Sequence, residues 1–134
     1  MAHARTCNRQ AALISNHTKI RLTSWDRKWS QLVRKRDNDT CEACGNFGHT
    51  NAHHIESRAI KSLRFLPENG IALCAACHTF SHVFSAHKTP EAFKRWFKKR
   101  YSLRWEIIKA RKRKHMSDLE AVAEFDLLLK AEAE

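Results

Sequence analysis

Two Cys-x-x-Cys pairs constrain the fold of this chain more than any other feature. Cys41 and Cys44 form the first pair, and Cys74 and Cys77 form the second. Such a pair on a tight turn brings two sulfur atoms to one metal ion, so two pairs complete a tetrahedral zinc shell with no open position. The pairs are farther apart than the gap of about 15–20 residues in common zinc ribbons. We therefore predict a structural zinc site with a functional insert, and a redox dithiol or unrelated buried thiols stay open as alternatives.

The length of the chain limits how it can be stabilised. Its 134 residues, 43% of them hydrophobic, suit one globular domain. The central residues are mainly possible ligands and turn formers, so their own apolar core must be thin and a metal would replace packing there. We expect metal-dependent folding. Cys7 is left over from the pairs and is treated as a bystander.

The net charge of +11 is distributed unevenly. Residues 94–114 carry eleven bases and one acid, whereas residues 115–134 carry one base and six acids. A strongly basic surface favours a polyanionic partner, because neutralised phosphates release their counterions. We predict a nucleic-acid partner, and a cationic face that only keeps the protein soluble is the alternative.

The compartment follows from what the sequence lacks and from its cysteines. No apolar stretch has the length of a membrane span, and the first residues lack the apolar core of a secretion signal. We expect a cytoplasmic protein without membrane association. In that reducing compartment paired cysteines bind zinc more often than they form disulfides.

The first half of the chain predicts an arm, a helix and two short strands. Residues 1–23 carry scattered bases and form the predicted arm, and 24–37 have aromatic and aliphatic residues at helical spacing. Residues 50–55 and 71–73 are the predicted strands, joined by a basic connection over 57–66 and a Pro-Glu-Asn-Gly turn.

The second half predicts helices. One helix begins near Ala75 and would place His78 and His82, four residues apart, on one face. A second begins at Thr89-Pro90, a basic one covers 103–114, and a capping box at Ser117 opens a last acidic helix. That last helix is expected to pack on its own chain, with a mimic of DNA or a protein interface as alternatives.

The insert between and after the cysteine pairs, NAHHIESRAIKSLRFLPENGIALCAACHTFSH, resembles an HNH endonuclease of the ββα-metal group with flanking zinc cysteines. Three elements agree in order: His53-His54 before an isoleucine, Asn69 in its turn, and His78 directly after Cys77. Small stand-alone proteins of this kind resemble phage-encoded or homing-type nucleases. The resemblance implies a metal-dependent DNA endonuclease that hydrolyses phosphodiester bonds. We expect a monomer, with a protein partner at the C-terminal helix as the alternative.

The resemblance also implies roles for single residues. His54 would be the general base that takes a proton from the attacking water, a task suited to an imidazole. His53 and His78 would bind a catalytic divalent ion such as Mg²⁺, Mn²⁺ or another transition ion, and His82 would bind that ion or the scissile phosphate. Asn69 would orient the loop between the strands and help to position the base histidine. Alternatively, a histidine of the pair completes the zinc shell and His78 only caps a helix.

Other histidines and the basic residues complete the interpretation. The remaining histidines, His87 among them, are treated as surface or packing residues. Basic residues beside the motif and on the helix after Pro90 are predicted to contact nucleic-acid phosphates. They are Arg58, Lys61, Arg64, Lys94, Arg95, Lys98, Lys99 and Arg100.

We therefore predict a small α+β protein. A zinc-stapled ββα-metal core over 38–87 would lie between an N-terminal helix and two or three helices over 89–134, all in one nuclease domain over 24–134. A non-catalytic zinc-dependent nucleic-acid-binding module is the first alternative, and a zinc-stabilised protein-interaction adaptor that uses the last helix is the second.

Overall fold

A computed structural model describes residues 22–134 and has the predicted α+β architecture, a two-stranded antiparallel hairpin with helices on both of its faces. The predicted N-terminal arm lies outside the described residues as far as residue 21. The first helix, α1, covers 22–36. After this helix the chain turns at Asn38 and Asp39, which adopt φ values of 56° and 48° in the left-handed region that short polar side chains tolerate.

The hairpin pairs the strand that carries His53 and His54 with the strand that ends at Cys74. Strand β1 spans Thr50–His54 and strand β2 spans Gly70–Cys74, in a register that pairs His53 with Ile71 and His54 with Gly70. Both strands match the prediction to within one residue at either end. The backbone N–H of Glu42 donates to the carbonyl of Ala72 at 3.1 Å, which ties the first cysteine turn to β2.

Two short elements lie between the strands. Helix α2 covers Lys61–Arg64, inside the segment predicted as a connection, and a 3-10 turn covers Pro67–Asn69. After β2 the chain forms a single π-helical turn over Ala76–Phe80 instead of the predicted longer helix. Ser81 is already extended, so the helical periodicity stops before His82.

Three helices complete the chain: α3 at Pro90–Arg100, α4 at Ser102–Lys112 and α5 at Asp118–Ala133. The Ser117 hydroxyl accepts a hydrogen bond from the backbone N–H of Glu120 at 3.1 Å, so the predicted cap of the acidic helix is present. Helix α5 packs on its own chain, with the rings of Phe125 and Phe65 stacked at 5.8 Å.

The hairpin separates two hydrophobic clusters, because successive strand residues point to opposite faces. Ile71 and Leu73 face the cluster that includes α3 and α4, whereas Ala52 packs with the cluster of α1 and α5. A β-carbon on Gly70 would lie 2.5 Å from atoms of Trp29 and Val33. Small residues on this face therefore allow α1 to approach the sheet closely.

Candidate active site

The four predicted zinc ligands converge. The sulfur atoms of Cys41, Cys44, Cys74 and Cys77 all lie within 4.8 Å of one another, with Cys44 and Cys74 3.7 Å apart. Zinc–sulfur bonds of about 2.3 Å put tetrahedral ligands about 3.8 Å apart, so the spacing fits a zinc ion. Gly45 supplies the φ of 80° that closes the first turn.

The ionisation of these thiols also fits a metal site. Burial opposes ionisation of Cys41, but backbone hydrogen bonds from the two cysteine turns lower its pKa to about 7. Burial and the neighbouring sulfur atoms raise the pKa of Cys77 well above its ordinary value. Four thiolates in so small a volume repel one another, so full ionisation requires a cation such as zinc.

A second group of donors contains three imidazoles. One ring nitrogen each of His53, His78 and His87 lie within 4.8 Å of one another, and the Nε2 atoms of His78 and His87 are 3.2 Å apart. Ligand nitrogens at about 2.1 Å from a tetrahedral metal are about 3.4 Å apart, so this spacing also fits one ion. Three ligands leave room for water or substrate, as in catalytic metal sites.

Three elements position these rings. His53 lies near the end of β1 and His78 in the π-helical turn. The chain then reverses, and the backbone N–H groups of Ala86 and His87 donate to the carbonyls of Cys77 and His78 at 2.8 and 3.0 Å. This pairing places His87 directly beside His78.

The reversal itself depends on a buried serine. The Ser85 hydroxyl donates to the Ser81 carbonyl at 2.8 Å and accepts from the Lys88 N–H at 3.0 Å, while the Thr89 hydroxyl accepts from the Ser85 N–H at 2.9 Å. These bonds fix the loop that returns His87 to the π-helical turn.

His82 does not join the group formed by the described residues. The prediction relied on four-residue helical spacing, but the π-helical turn ends at Phe80 and leaves His82 exposed in the following loop. His87, which was treated as a surface or packing residue, takes the third position. The sequence indicated His87 only through its position close to His78, because the chain reversal that brings the two rings together depends on tertiary packing.

Two imidazoles of this group, those of His53 and His78, are in the neutral form that binds a metal ion. Burial, together with the neighbouring rings of His78, His87 and His54, lowers the pKa of His53 to about 3. Burial and His87 likewise lower the pKa of His78. Neutral imidazole is the metal-binding form, so both rings are ready to bind an ion near pH 7.

His54 leaves β1 on the opposite face, against α1. Its imidazole is stacked on Trp29, and its Nε2 lies 2.9 Å from the carbonyl oxygen of Arg64. A carbonyl only accepts, so Nε2 carries the hydrogen and Nδ1 holds the free electron pair. Burial lowers the pKa of His54, although the Arg64 carbonyl and Asp26 oppose this shift, so the ring is neutral and able to accept a proton.

Asn69 is fully buried and acts on the backbone. Its Oδ1 accepts from the N–H of Glu56 at 2.8 Å, and its Nδ2 donates to the carbonyls of Glu56 and Leu63 at 3.0 and 3.1 Å. These three bonds hold the segment that follows β1 against the 3-10 turn. Asn69 therefore ties together parts of the loop between the strands, and its loop-orienting role stays a prediction.

The eight basic residues predicted to bind nucleic acid fall into two groups. Arg64 pairs with Asp26 at 2.7 Å, Lys94 pairs with the buried Glu56, and Lys61 lies 4.0 Å from Asp118. The other five are exposed and form no ion pair with another described residue. They are Arg58, Arg95, Lys98, Lys99 and Arg100.

The comparison with protein families agrees with this geometry. The family described as HNH endonuclease matches residues 41–84. Residues 41–84 are called the HNH segment below. It contains both cysteine pairs, the histidine pair and Asn69, so the family supports a nuclease-type function acting on nucleic acid. No curated protein and no solved structure matches the chain.

Two features of the site lie outside the HNH segment. His87 follows it by three residues, and Trp29 precedes it on α1. Within residues 22–134, no helix has the length and apolar character required to cross a membrane.

Proposed function

We propose that this protein is a metal-dependent DNA endonuclease that hydrolyses a phosphodiester bond with one catalytic ion and a histidine base. The observation that carries the proposal is the contrast between two adjacent residues. His53 points towards the other two clustered imidazoles, whereas His54 points to the opposite face with a free Nδ1. Their strand position separates the metal ligand from the base without a change in residue type.

The base role follows from the hydrogen bonding of His54. With Nε2 held by the Arg64 carbonyl, Nδ1 is the atom that takes the proton from the attacking water. In an in-line displacement the attacking and leaving oxygens lie on opposite sides of phosphorus. The opposite faces of β1 suit this requirement, with the base on one side of the phosphate and the metal ligands on the other.

The ion would be held by His53, His78 and His87. When bound, the divalent ion polarises the phosphoryl oxygen and neutralises the leaving oxygen. Three imidazoles favour transition ions such as Ni²⁺ or Zn²⁺ over ions that prefer oxygen ligands, such as Mg²⁺. His82, exposed in the loop between His78 and His87, is the candidate for contact with the scissile phosphate.

The proposed substrate surface combines the hairpin with α3. Five exposed cations have no acidic partner among the described residues and are available for phosphates, whereas Arg64 and Lys94 already hold acidic side chains. We assign binding energy to the first group and structural roles to the second. Because phosphate contacts carry no sequence information, this surface supports affinity for DNA without a defined target sequence.

The proposal includes the remaining assignments. The four cysteines hold structural zinc, and residues 24–134 form one monomeric nuclease domain. Thiols used as zinc ligands are typical of a reducing compartment, which supports a cytoplasmic location.

Nicking of a supercoiled plasmid tests this function. Protein that holds zinc only at the cysteine site should nick DNA when Mn²⁺ or Mg²⁺ is added and should stop when the added ion is omitted. His54→Ala should lower the rate by about 10²–10⁴-fold, the usual contribution of a general base. His115→Ala, which changes an exposed histidine outside the HNH segment, is the matched control. Undiminished cleavage by His54→Ala would remove the mechanism, and DNA binding without cleavage in any divalent ion would favour a non-catalytic binding module.

A further inference from the structure

Trp29 lies directly on the candidate general base. The indole of Trp29 and the imidazole of His54 are parallel to within 8°, with ring centroids 3.8 Å apart. Trp29 is 2% exposed, so the indole is part of the interior and presents one face to the imidazole. Helix α1 lies outside the HNH segment, so this contact belongs to the additional structure around the motif.

Both rings are held by the same short segment. Trp29 donates its Nε1–H to the carbonyl of Leu66 at 3.0 Å, and His54 donates its Nε2–H to the carbonyl of Arg64 at 2.9 Å. The Arg64 side chain in turn binds Asp26, one helical turn before Trp29, through two hydrogen bonds of 2.9 and 2.7 Å. Hydrogen bonds to residues 64–66 therefore hold both stacked rings, and the ion pair of Arg64 with Asp26 ties that segment to α1.

Steric packing prevents the indole from moving towards the sheet. Gly70 is the register partner of His54, and a β-carbon on Gly70 would lie 2.5 Å from Cζ2 of Trp29 and 2.5 Å from Cγ2 of Val33. The indole thus fills the space above both strands at the end of the hairpin. The imidazole has a rigid apolar surface on one face.

A single hydrogen bond fixes one atom of an imidazole but leaves the plane of the ring able to swing. A parallel aromatic surface removes that freedom, and together the two contacts set the direction in which Nδ1 points. We propose that Trp29 is a positioning residue that orients His54 for proton transfer. The inference depends on the proposed function of His54 as the base, since misplacement of a reacting group by about 1 Å can cost about 100-fold in rate.

Three variants of the full-length protein test this role. Trp29→Leu removes the ring and should lower kcat by about 10-fold to 100-fold while KM for DNA and the affinity for Mn²⁺ change less than about twofold. Trp29→Phe keeps a parallel ring and should restore most of kcat, although it loses the bond to Leu66. Val33→Ala is the matched control, because it creates a cavity in the same helix and cluster and leaves the indole of Trp29 in place.

The comparison at equal stability decides between positioning and mere packing. If Val33→Ala and Trp29→Leu lower Tm similarly, only the latter should lower kcat. Equal losses of kcat in both, or wild-type kcat in a folded Trp29→Leu protein, would overturn the proposal. A wild-type protein that does not cleave DNA, or one indifferent to His54→Ala, would overturn the proposed function instead.

A measurement on the wild-type protein makes the test independent of how the variants fold. The ring current of an indole at 3.8 Å should move the carbon-bound ring protons of His54 to high field in the NMR spectrum, with Overhauser contacts to Trp29. The same protons should return to ordinary positions in Trp29→Leu and stay shifted in Trp29→Phe. Ordinary positions in the wild-type protein would contradict the stacked geometry and with it the inference.

Discussion

The two donor clusters differ in where their support comes from. All four cysteines lie in the HNH segment, on two turns that the hairpin places together. The histidine cluster takes His53 and His78 from that segment and His87 from beyond it, and its neighbour His54 rests on Trp29 of α1. The cysteine site is local, whereas the histidine site depends on packing against elements that the motif does not contain.

The difference has a chemical reason. Four thiolates satisfy a zinc ion completely, so the site needs only short turns that hold the sulfur atoms at the right spacing. A catalytic ion needs an incomplete shell beside a separately oriented base, and rings with two free dihedral angles must each be held by neighbours. A metal site with an open coordination position therefore needs more of the surrounding fold to hold its ligands in place.

Loss of the cysteine cluster should have the largest effect. Cys41 is 1% exposed, and structural zinc contributes on the order of 10 kcal/mol to the folding of small zinc domains. Cys41→Ser should abolish cooperative thermal unfolding followed by circular dichroism and reduce bound zinc. Cys7→Ser is the control and should retain both. An unchanged melting curve in Cys41→Ser would mean that the hairpin does not rely on zinc.

A methyl group at Gly70 should impair the histidine site and leave the cysteine site intact. Its β-carbon would lie 2.5 Å from atoms of Trp29 and Val33, so Gly70→Ala should cost about 3 kcal/mol through overpacking. Zinc content should stay at the wild-type value while the rate of DNA cleavage falls. Adding Val33→Ala should recover part of the stability, which denaturant unfolding of the two single variants and the double variant measures. Additive losses would show that the two side chains do not meet.

His87→Ala and His82→Ala should differ in metal affinity. The first removes a ring from the cluster and should weaken Mn²⁺ binding by about 10-fold to 100-fold, whereas the second changes an exposed ring and should leave it within about twofold. Titration calorimetry of zinc-loaded protein measures both. The opposite ranking would restore the helical interpretation in which His82 is the ligand.

A lower pH should weaken the ion pairs that join Glu56 of the HNH segment to Lys94 of α3 and Lys112 of α4. Burial opposes ionisation of Glu56, but hydrogen bonds and charge from Lys94 and Lys112 lower its pKa below the ordinary value. A lowered pKa in the folded state gives stability that is complete above about pH 4.3, the unfolded value, and is lost as pH falls through the folded pKa.

Glu56→Gln should therefore cost about 1 kcal/mol at pH 7, because both lysines are partly exposed. The cost should vanish at pH values below the folded pKa. Urea unfolding at several pH values measures it, with the exposed Glu106→Gln as the control. A loss that does not change with pH would exclude the ion pair as its cause.

Much of this architecture was predictable because its signals are local. Cysteine spacing predicted the cysteine cluster, two short segments and the Pro-Glu-Asn-Gly turn between them predicted the strands, and Ser117 with Glu120 predicted the start of α5. Helix α2 was missed because four residues carry too little periodicity to distinguish a helical turn from a connection.

The place of His87 in the histidine cluster was not predictable in the same way. A helix that continued past Phe80 would have presented His82, and the choice of a single π-helical turn followed by a reversal depends on bonds made by Ser85, Ala86 and His87. Such bonds join residues whose proximity no periodic pattern encodes.

The amino-acid sequence by itself determined the chemistry available: four thiols in two pairs, a histidine pair on a strand, and an excess of cations before an acidic helix. Tertiary structure alone decided which imidazole completes the cluster, which cations remain unpaired among the described residues, and what holds His54 in place. The physical reason is the separation along the chain over which each interaction acts. Turn geometry and strand alternation act between neighbours in the chain, whereas ring stacking and ion pairing depend on which distant side chains the folded core brings together.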